Sequence, residues 1–305
     1  MPTISRLAPT PSGFLHVGNA LNFILTWVLT REAGGELWLR IDDLDEIRSR
    51  AAYIEDIFRT LDWLGIDWDK GPFSVGEHIQ SHRQSQRIER YLTAIGKLNQ
   101  HGHTFACDCS RKMILAAHPQ GLYTGVCYEK GLTYAQGHTS FRMKTMYAQL
   151  VTWQDGWQGK LSVNLHAQMR DFVIRRKDGI PAYQIASLVD DLEMGVNLIV
   201  RGKDLISSTA AQLFLANQLQ ESSFTQTDFY HHPLLTDAQG KKLSKSEGAL
   251  SLRYWQKERN VQDLFRFLSQ CIGLEEKAED LKSFAKLWGE NQKLPPQFTL
   301  PFSFK

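Results

Sequence analysis

The sequence Pro9-Thr-Pro-Ser-Gly-Phe-Leu-His-Val-Gly-Asn19 joins a short apolar strand to the start of an amphipathic helix. The strand is predicted over residues 4–8 and the helix over 17–30, where apolar residues recur at helical spacing. Two prolines and a glycine make the connecting turn tight, and Gly18 lets a ligand approach the backbone. A helix start presents unpaired N–H groups that suit a phosphate, and His16 adds a donor beside them. The stretch therefore predicts a phosphate site, although its spacing matches neither G-x-G-x-x-G nor a Walker loop.

The composition is that of a globular chain rather than a membrane or disordered one. The 305 residues are 42% hydrophobic, enough to bury one large core or two modest ones. No apolar run approaches the roughly 20 residues of a membrane span, and no basic-then-apolar leader begins the chain. We therefore expect a soluble cytoplasmic protein with no membrane partner. Because the net charge is only +2, RNA contacts would have to come from local basic patches such as residues 111–112 and 175–177.

Charged side chains follow the predicted strands at their carboxyl ends. Arg6 lies near the end of the first strand, Asp42 follows the second, and Arg201 ends a later one. Strands alternating with helices predict a doubly wound α/β sheet, whose ligands bind at the carboxyl ends of the strands. These side chains are thus expected at one crevice, where Tyr183 adds a phenol donor and an arginine fork suits a carboxylate. The alternatives are an internal ion pair between Asp42 and an arginine, and a core position for Tyr183.

Three of the four cysteines lie close together in the sequence, as Cys107, Cys109 and Cys127. Such a group in a cytosolic chain favours a metal over a disulfide. Zinc takes four ligands at tetrahedral angles, and chemistry alone nominates His118 as the fourth. The alternative is three reduced cysteines packed as small hydrophobes, as expected for the distant Cys271.

The segment Lys242-Leu-Ser-Lys-Ser246 follows a turn that contains glycine. Lysines on such a loop can close over a triphosphate and neutralise the charge that builds on departing pyrophosphate. We assign the main role to Lys245, with Lys242 assisting. The alternative is a solvated basic turn.

His16-Val-Gly-Asn19 and Lys242-Leu-Ser-Lys-Ser246 resemble, in this order, the HIGH and KMSKS motifs of class I aminoacyl-tRNA synthetases. Arg6-Leu-Ala-Pro-Thr-Pro-Ser-Gly13 resembles the glutamyl branch, as do the blocks D-F-V-I-R-R-K-D-G-I-P-A-Y-Q-I-A-S-L-V-D-D and I-V-R-G-K-D-L further along. The resemblance extends from residue 3 to about residue 250. It implies a Rossmann-type catalytic domain that activates glutamate with ATP and Mg²⁺.

The resemblance also implies roles for individual residues. Asp42 would hold the α-ammonium group of the substrate. Glutamyl synthetases usually carry a glutamate at this position, and the shorter aspartate leaves open how the side chain contacts the amino acid. Catalytic roles are implied for His16, Lys242 and Lys245. ATP is expected at His16, Gly18, Asn19 and Lys245, and glutamate at Arg6, Leu7, Ala8, Pro9, Thr10, Asp42, Tyr183 and Arg201.

The cysteine segment resembles the C-x-C, Y-x-x-x-C pattern of the glutamyl-queuosine tRNA(Asp) synthetases, short relatives of glutamyl-tRNA synthetase. On that pattern one structural zinc ion is held by Cys107, Cys109, Tyr123 and Cys127, and we prefer Tyr123 to His118. The resemblance also implies that glutamate is transferred to queuosine in the anticodon of tRNA(Asp). Two alternatives remain: a truncated glutamyl-tRNA synthetase that charges an acceptor end, and a non-catalytic RNA-binding paralogue.

Four segments are expected along the chain. Residues 1–100 and 170–250 form the two halves of the Rossmann domain, 101–169 a mostly β, zinc-bearing insertion, and 251–305 a short helical extension with a polar tail. The resemblance implies that the insertion lies against the acceptor end of tRNA. Glutamyl-tRNA synthetases carry a large anticodon-binding region after the last motif, and we expect none here and a monomer.

Overall fold

The first strand, helix and second strand follow one another as the sequence predicts. The computed structural model describes residues 2–145, 147, 149–236, 250–291 and 294–299. The strands are β1 (Ile4–Leu7), β2 (Glu36–Leu39), β3 (Thr104–Cys107), β4 (Ser140–Met143), β5 (Leu150–Asp155), β6 (Gly159–Asn164), β7 (Val173–Arg175), β8 (Leu198–Gly202), β9 (Asp228–His232), β10 (Leu235–Thr236) and β11 (Phe298–Thr299). The helices are α1 (Val17–Glu32), α2 (Ala51–Leu64), α3 (Val75–Glu77), α4 (Ile88–Gln100), α5 (Arg111–Ala117), α6 (Leu165–Met169), α7 (Tyr183–Glu193), α8 (Ile206–Leu219), α9 (Ser222–Thr225), α10 (Leu252–Glu258), α11 (Val261–Cys271) and α12 (Leu281–Asn291). None of the helices in the described part of the chain combines the length and apolar character that a bilayer span requires.

Strands from distant parts of the chain meet beside α1. β1 pairs in parallel with β2, and β8 pairs in parallel with β9. Asn197, just before β8, contacts β1, since its backbone N–H donates to the Ile4 carbonyl oxygen at 3.0 Å. Arg6 of β1 and Arg201 of β8 consequently line the same cavity, at the carboxyl ends of their strands.

The predicted doubly wound parallel sheet is correct only in part, because an antiparallel hairpin extends it. β5 pairs in parallel with β9, and β6 pairs antiparallel with β5, although both lie in the predicted insertion 101–169. β7 lies in the predicted second half of the Rossmann domain but pairs antiparallel with β4, in the sheet β3–β4–β7. Strand pairing therefore crosses the predicted segment boundaries, because a strand pattern does not indicate which strand will be its partner.

The C-terminal helices complete the core behind α1. Trp255 of α10 and Trp288 of α12 are almost fully buried and belong to the same apolar cluster as Leu21 of α1. α12 lies within residues 251–305, for which the sequence predicts a helical extension. Phe284 and Trp288 are four residues apart, so they lie on one helix face, and both are buried.

Candidate active site

A cavity of about 540 Å³ lies at the start of α1, beside the ends of β1 and β8. Leu7 is not part of its wall, because that side chain is fully buried in the core. Lys242 and Lys245 lie outside the described residues, but Leu235 and Leu250, which precede and follow them in the chain, line the cavity. The wall brings together these predicted residues: Arg6, Ala8, Pro9, Thr10, His16, Gly18, Asn19, Tyr183 and Arg201.

His16 caps the helix that opens onto the cavity. Its Nδ1 accepts a hydrogen bond from the Gly18 backbone N–H at 3.1 Å, and Asn19 Oδ1 accepts one from the His16 N–H at 3.0 Å. A side chain at position 18 would place Cβ 3.0 Å from His16 Cε1, so glycine leaves the room that the imidazole occupies. Because Nδ1 accepts, the proton of the neutral ring is on Nε2, which makes Nε2 a donor.

The guanidinium of Arg201 is buried, with only part of its hydrogen-bonding capacity used. Nη1 donates to Thr209 Oγ1 at 3.1 Å and to Gln212 Oε1 at 2.6 Å. Nε and Nη2 have no hydrogen-bond partner among the described residues. Burial, with the nearby charges of Arg6 and Arg40, lowers the pKa of Arg201 below its usual value. A buried cation with two parallel donors unused is an arrangement suited to binding a carboxylate bidentately.

Asp191 holds two further arginines in place beside the cavity. Its Oδ1 accepts from Arg6 Nε at 2.9 Å and from Arg40 Nη1 at 2.6 Å, and all three side chains are buried. Burial alone would raise the pKa of Asp191, but the charges of Arg40, Arg6 and Arg201 hold it below its usual value. The carboxylate is therefore ionised at neutral pH and fixes the position of Arg6.

Asp42 forms the internal ion pair that the sequence leaves open as an alternative. Its Oδ1 accepts from Arg40 Nε at 2.7 Å, and its side chain is 6% exposed. Burial raises the pKa of Asp42 above its usual value, despite the opposing charge of Arg40. Asp42 is not among the residues of the cavity wall, so its contact with a substrate ammonium group stays a proposal.

His232 lies in the cavity wall, and sequence reasoning misses it. Its Nδ1 lies 2.7 Å from the Pro233 carbonyl oxygen, so Nδ1 is the donor. Burial lowers the pKa of His232 to about 4, so the ring is neutral at pH 7 and Nε2 is an acceptor. The Asn22 side-chain amide, 3.2 Å from Nε2, must therefore present its NH₂ group to this nitrogen.

Sequence reasoning also misses the residues that hold the arginines. Asp191 is 151 positions from Arg40 in the sequence, and Thr209 and Gln212 lie inside an apolar helix. Thr209 and Gln212 belong to no quoted motif, and Asp191 ends a quoted block but is given no role there. Strand-end position identifies Arg6 and Arg201, but no periodicity marks the partners that fix their orientation.

The thiols of Cys107, Cys109 and Cys127 come together at the end of β3. Their sulfur atoms all lie within 4.8 Å of one another and all three side chains are buried. Tetrahedral zinc with bonds of about 2.3 Å places its sulfur ligands about 3.8 Å apart, so the cluster could hold zinc. Burial alone would raise the pKa of Cys107, but the hydrogen bond and charge of Arg142 bring it below its usual value, which favours the thiolate that binds metal.

The surroundings of this thiol cluster favour Tyr123 over His118 as a fourth ligand. The Tyr123 hydroxyl oxygen accepts from the Cys127 backbone N–H at 2.8 Å, and the ring is buried among the three cysteines. In the described part of the chain, no imidazole nitrogen lies within 4.8 Å of all three sulfurs, and neither nitrogen of His118 does. The phenol is therefore the better placed of the two groups that the sequence nominates.

The fold and the cavity define a class I aminoacyl-tRNA synthetase catalytic domain. Residues 3–286 match the family described as tRNA synthetases class I (E and Q), catalytic domain, and the chain belongs to this family. It is accordingly a ligase of the synthetase type.

Relatives with curated names come from two groups of this family. The chain is 37% identical over 262 residues to the glutamyl-Q tRNA(Asp) synthetase of Nitratidesulfovibrio vulgaris, covering 81% of this chain and 79% of the relative. It is 36% identical over 264 residues to glutamate–tRNA ligase 1 of Cereibacter sphaeroides, covering 83% of this chain but only 57% of the relative. Among solved structures, glutamate–tRNA synthetase from Elizabethkingia anophelis matches with a TM-score of 0.80 at 20% identity, over 99% of this chain and 68% of that one. This last likeness concerns the fold alone.

Proposed function

We propose that this chain activates L-glutamate with Mg²⁺-bound ATP and transfers the glutamyl group to queuosine in tRNA(Asp). The observation that carries the proposal is the buried Nε–Nη2 edge of Arg201, which lacks a partner among the described residues and belongs to the same wall as the His16 turn. The name of the Nitratidesulfovibrio vulgaris relative, glutamyl-Q tRNA(Asp) synthetase, supports queuosine in tRNA(Asp) as the proposed acceptor.

The cavity wall supplies groups of the right charge for an amino acid with two carboxylates. We assign one carboxylate to the Arg201 edge, with Arg6, which contacts Asp191, contributing positive charge nearby. Tyr183 begins α7 in the cavity wall and is 40% exposed, so its hydroxyl is accessible to the substrate. The ammonium group is assigned to the carboxylate charge of Asp42, which lies outside the cavity wall and is paired with Arg40.

The first step needs no side-chain nucleophile. An oxygen of the substrate α-carboxylate forms a bond to the α-phosphorus of ATP, and the bond from that phosphorus to the pyrophosphate oxygen breaks. Charge then grows on the α-phosphoryl oxygens and on departing pyrophosphate. We assign the stabilisation of this charge to His16 Nε2–H and the positive end of the α1 dipole, and we assign Lys245 and Lys242 to the pyrophosphate.

The second step is acyl transfer to the tRNA. A hydroxyl oxygen of the queuosine cyclopentene ring bonds to the carbonyl carbon of glutamyl-adenylate and loses its proton to solvent, and AMP leaves with the electrons of the broken bond. The thiol cluster lies outside the cavity wall, so a zinc ion held by Cys107, Cys109, Cys127 and Tyr123 would order its own segment and take no part in either step.

Acceptor-end charging is the second candidate, favoured by the 36% identity to glutamate–tRNA ligase 1 of Cereibacter sphaeroides. Glutamate-dependent ATP–pyrophosphate exchange, with and without tRNA, tests the first step. Transfer of labelled glutamate to tRNA(Asp) with and without queuosine then separates the two acceptors. Transfer only to the queuosine-containing tRNA supports the proposal, and equal transfer to both supports acceptor-end charging.

A further inference from the structure

A line of buried hydrogen bonds leads from the tip of the β5–β6 hairpin to Arg201. Asp155 Oδ2 lies 2.5 Å from His231 Nδ1, and His231 Nε2 lies 2.9 Å from Thr209 Oγ1. Thr209 Oγ1 in turn accepts from Arg201 Nη1 at 3.1 Å. All four side chains are at most 3% exposed. Asp155, His231 and Thr209 do not line the cavity themselves, whereas Arg201 does.

The geometry of this line holds Thr209 between His231 and Arg201. Burial favours the neutral form of Asp155, but its hydrogen bond to His231 holds its pKa below the usual value. An ionised Asp155 can only accept, so His231 Nδ1 donates to it. Thr209 Oγ1 accepts from Arg201 Nη1, whether its hydroxyl donates to His231 Nε2 or its oxygen accepts from it.

Thr209 and Gln212 together use both hydrogens of Arg201 Nη1. Nε and Nη2, both buried, are the atoms of the guanidinium that have no hydrogen-bond partner among the described residues. We propose that Thr209, oriented by His231 and Asp155, is a positioning residue that fixes the Arg201 guanidinium with its Nε–Nη2 edge available to the substrate carboxylate. The inference rests on the proposed function, because it gives Arg201 the same ligand.

Asp155 is the last residue of β5, so the proposal gives the β5–β6 hairpin a part in substrate recognition. Asp155 Oδ1 accepts from the backbone N–H groups of Trp157 and Gln158, at 3.1 and 2.9 Å, within the hairpin turn. Gln158 Nε2 donates to the His231 carbonyl oxygen at 2.6 Å, so the turn holds both the ring and the backbone of His231. The hairpin therefore orders the residue that orients Thr209.

The test compares Thr209→Val, which keeps the shape but removes the hydroxyl, with Thr209→Ser, which keeps the hydroxyl. Thr30→Val is the matched control: Thr30 is also fully buried in a helix, and its hydroxyl donates to the Thr26 carbonyl at 2.7 Å. Pyrophosphate exchange gives the KM for glutamate and the KM for ATP. NMR gives the Nε–Hε signal of Arg201, which is identified by its loss in Arg201→Lys.

Thr209→Val is expected to raise the KM for glutamate about tenfold and leave the KM for ATP unchanged, because it removes one hydrogen bond to a charged group. It should also shift or broaden the Arg201 signal, while Thr209→Ser and Thr30→Val resemble the wild type. The inference is overturned if the Arg201 signal in Thr209→Val superimposes on that of the wild type. If the wild type shows no glutamate-dependent exchange, the proposed function fails, and the NMR signal still decides whether Thr209 positions Arg201.

Discussion

Arg201 Nη2 lies 3.8 Å from Asp191 Oδ2, an ion-pair distance at which neither atom has a hydrogen bond to a described residue. Asp191 uses its other oxygen for Arg6 and Arg40. The N–H groups of Arg201 Nε and Nη2 are therefore two charged donors without a hydrogen-bond acceptor among the described residues. A carboxylate offers two acceptors to these donors, whereas a side-chain amide offers one and turns an NH₂ group toward the cation. Under the proposed function, this asymmetry favours glutamate over glutamine.

Arg201→Lys is expected to raise the KM for glutamate at least about tenfold, since lysine keeps the charge but loses the two parallel donors. Pyrophosphate exchange at varied glutamate and ATP measures this, and the KM for ATP should stay unchanged. Arg266→Lys is the control, because Arg266 pairs with Asp263 and Glu279 on the surface of α11. A KM for glutamate equal to that of the wild type would remove Arg201 from substrate binding.

Lys245→Ala is expected to slow adenylate formation by about 10²–10³-fold, the usual cost of removing a group that stabilises transition-state charge. The KM for glutamate should change little, because the lost interaction strengthens only as pyrophosphate departs. Single-turnover kinetics measures the rate constant. Lys257→Ala is the control, since this lysine is largely exposed on α10 and pairs with Glu258. A rate constant equal to that of the control would exclude Lys245 from the mechanism.

Purified protein is expected to contain one zinc ion per chain, and Cys109→Ser should reduce this sharply. Cys271→Ser is the control, because Cys271 is buried elsewhere, where burial raises its pKa to about 12, and it is not part of the thiol cluster. Elemental analysis of both variants gives the metal content. Zinc-free wild-type protein, or equal zinc in Cys109→Ser, contradicts the assignment.

The fourth zinc ligand is tested separately. Tyr123→Phe is expected to weaken zinc retention against a chelator, while His118→Ala leaves it unchanged, because the phenol and not the imidazole lies beside the thiols. The reverse order of the two variants would assign the ligand to His118.

The free energy of unfolding is expected to fall as the pH drops from about 6.5 to about 4, in part because of His232. Its folded-state pKa is about 4 because burial disfavours the charged ring, whereas in the unfolded chain it is about 6.5. Between these values only the unfolded state binds the proton, so acidification favours unfolding, by roughly 3 kcal/mol at about 1.4 kcal/mol per pH unit.

Urea unfolding at pH 7 and pH 4.5 measures this loss. His232→Gln should show a smaller difference between the two pH values than the wild type, and His138→Gln, a change of an exposed histidine, should show the same difference. An undiminished difference in His232→Gln would mean that the ring is not held neutral by burial.

Local sequence patterns predict well the elements that line the cavity. Apolar spacing places α1 at 17–30, and it runs from Val17 to Glu32. Strand-end position brings Arg6 and Arg201 to one cavity because the topology of an α/β sheet places strand ends together.

Long-range partnerships are what the sequence does not reveal. The sequence does not distinguish a buried aspartate such as Asp191 from one on the surface. Only the folded chain shows that Asp191 lies between Arg6 and Arg40. β7 has the expected strand pattern, yet its partner is β4. The burial of Phe284 and Trp288 of α12 is likewise evident only in the folded chain.

The central claim is that the Arg201 edge binds a carboxylate of glutamate beside a nucleotide held at the His16 turn. A crystal structure with L-glutamate and a non-hydrolysable ATP analogue tests it most directly. We expect two oxygens of one glutamate carboxylate within hydrogen-bond distance of Arg201 Nε and Nη2, with the triphosphate at the start of α1. Glutamate bound away from Arg201, or a nucleotide bound away from His16, would contradict it.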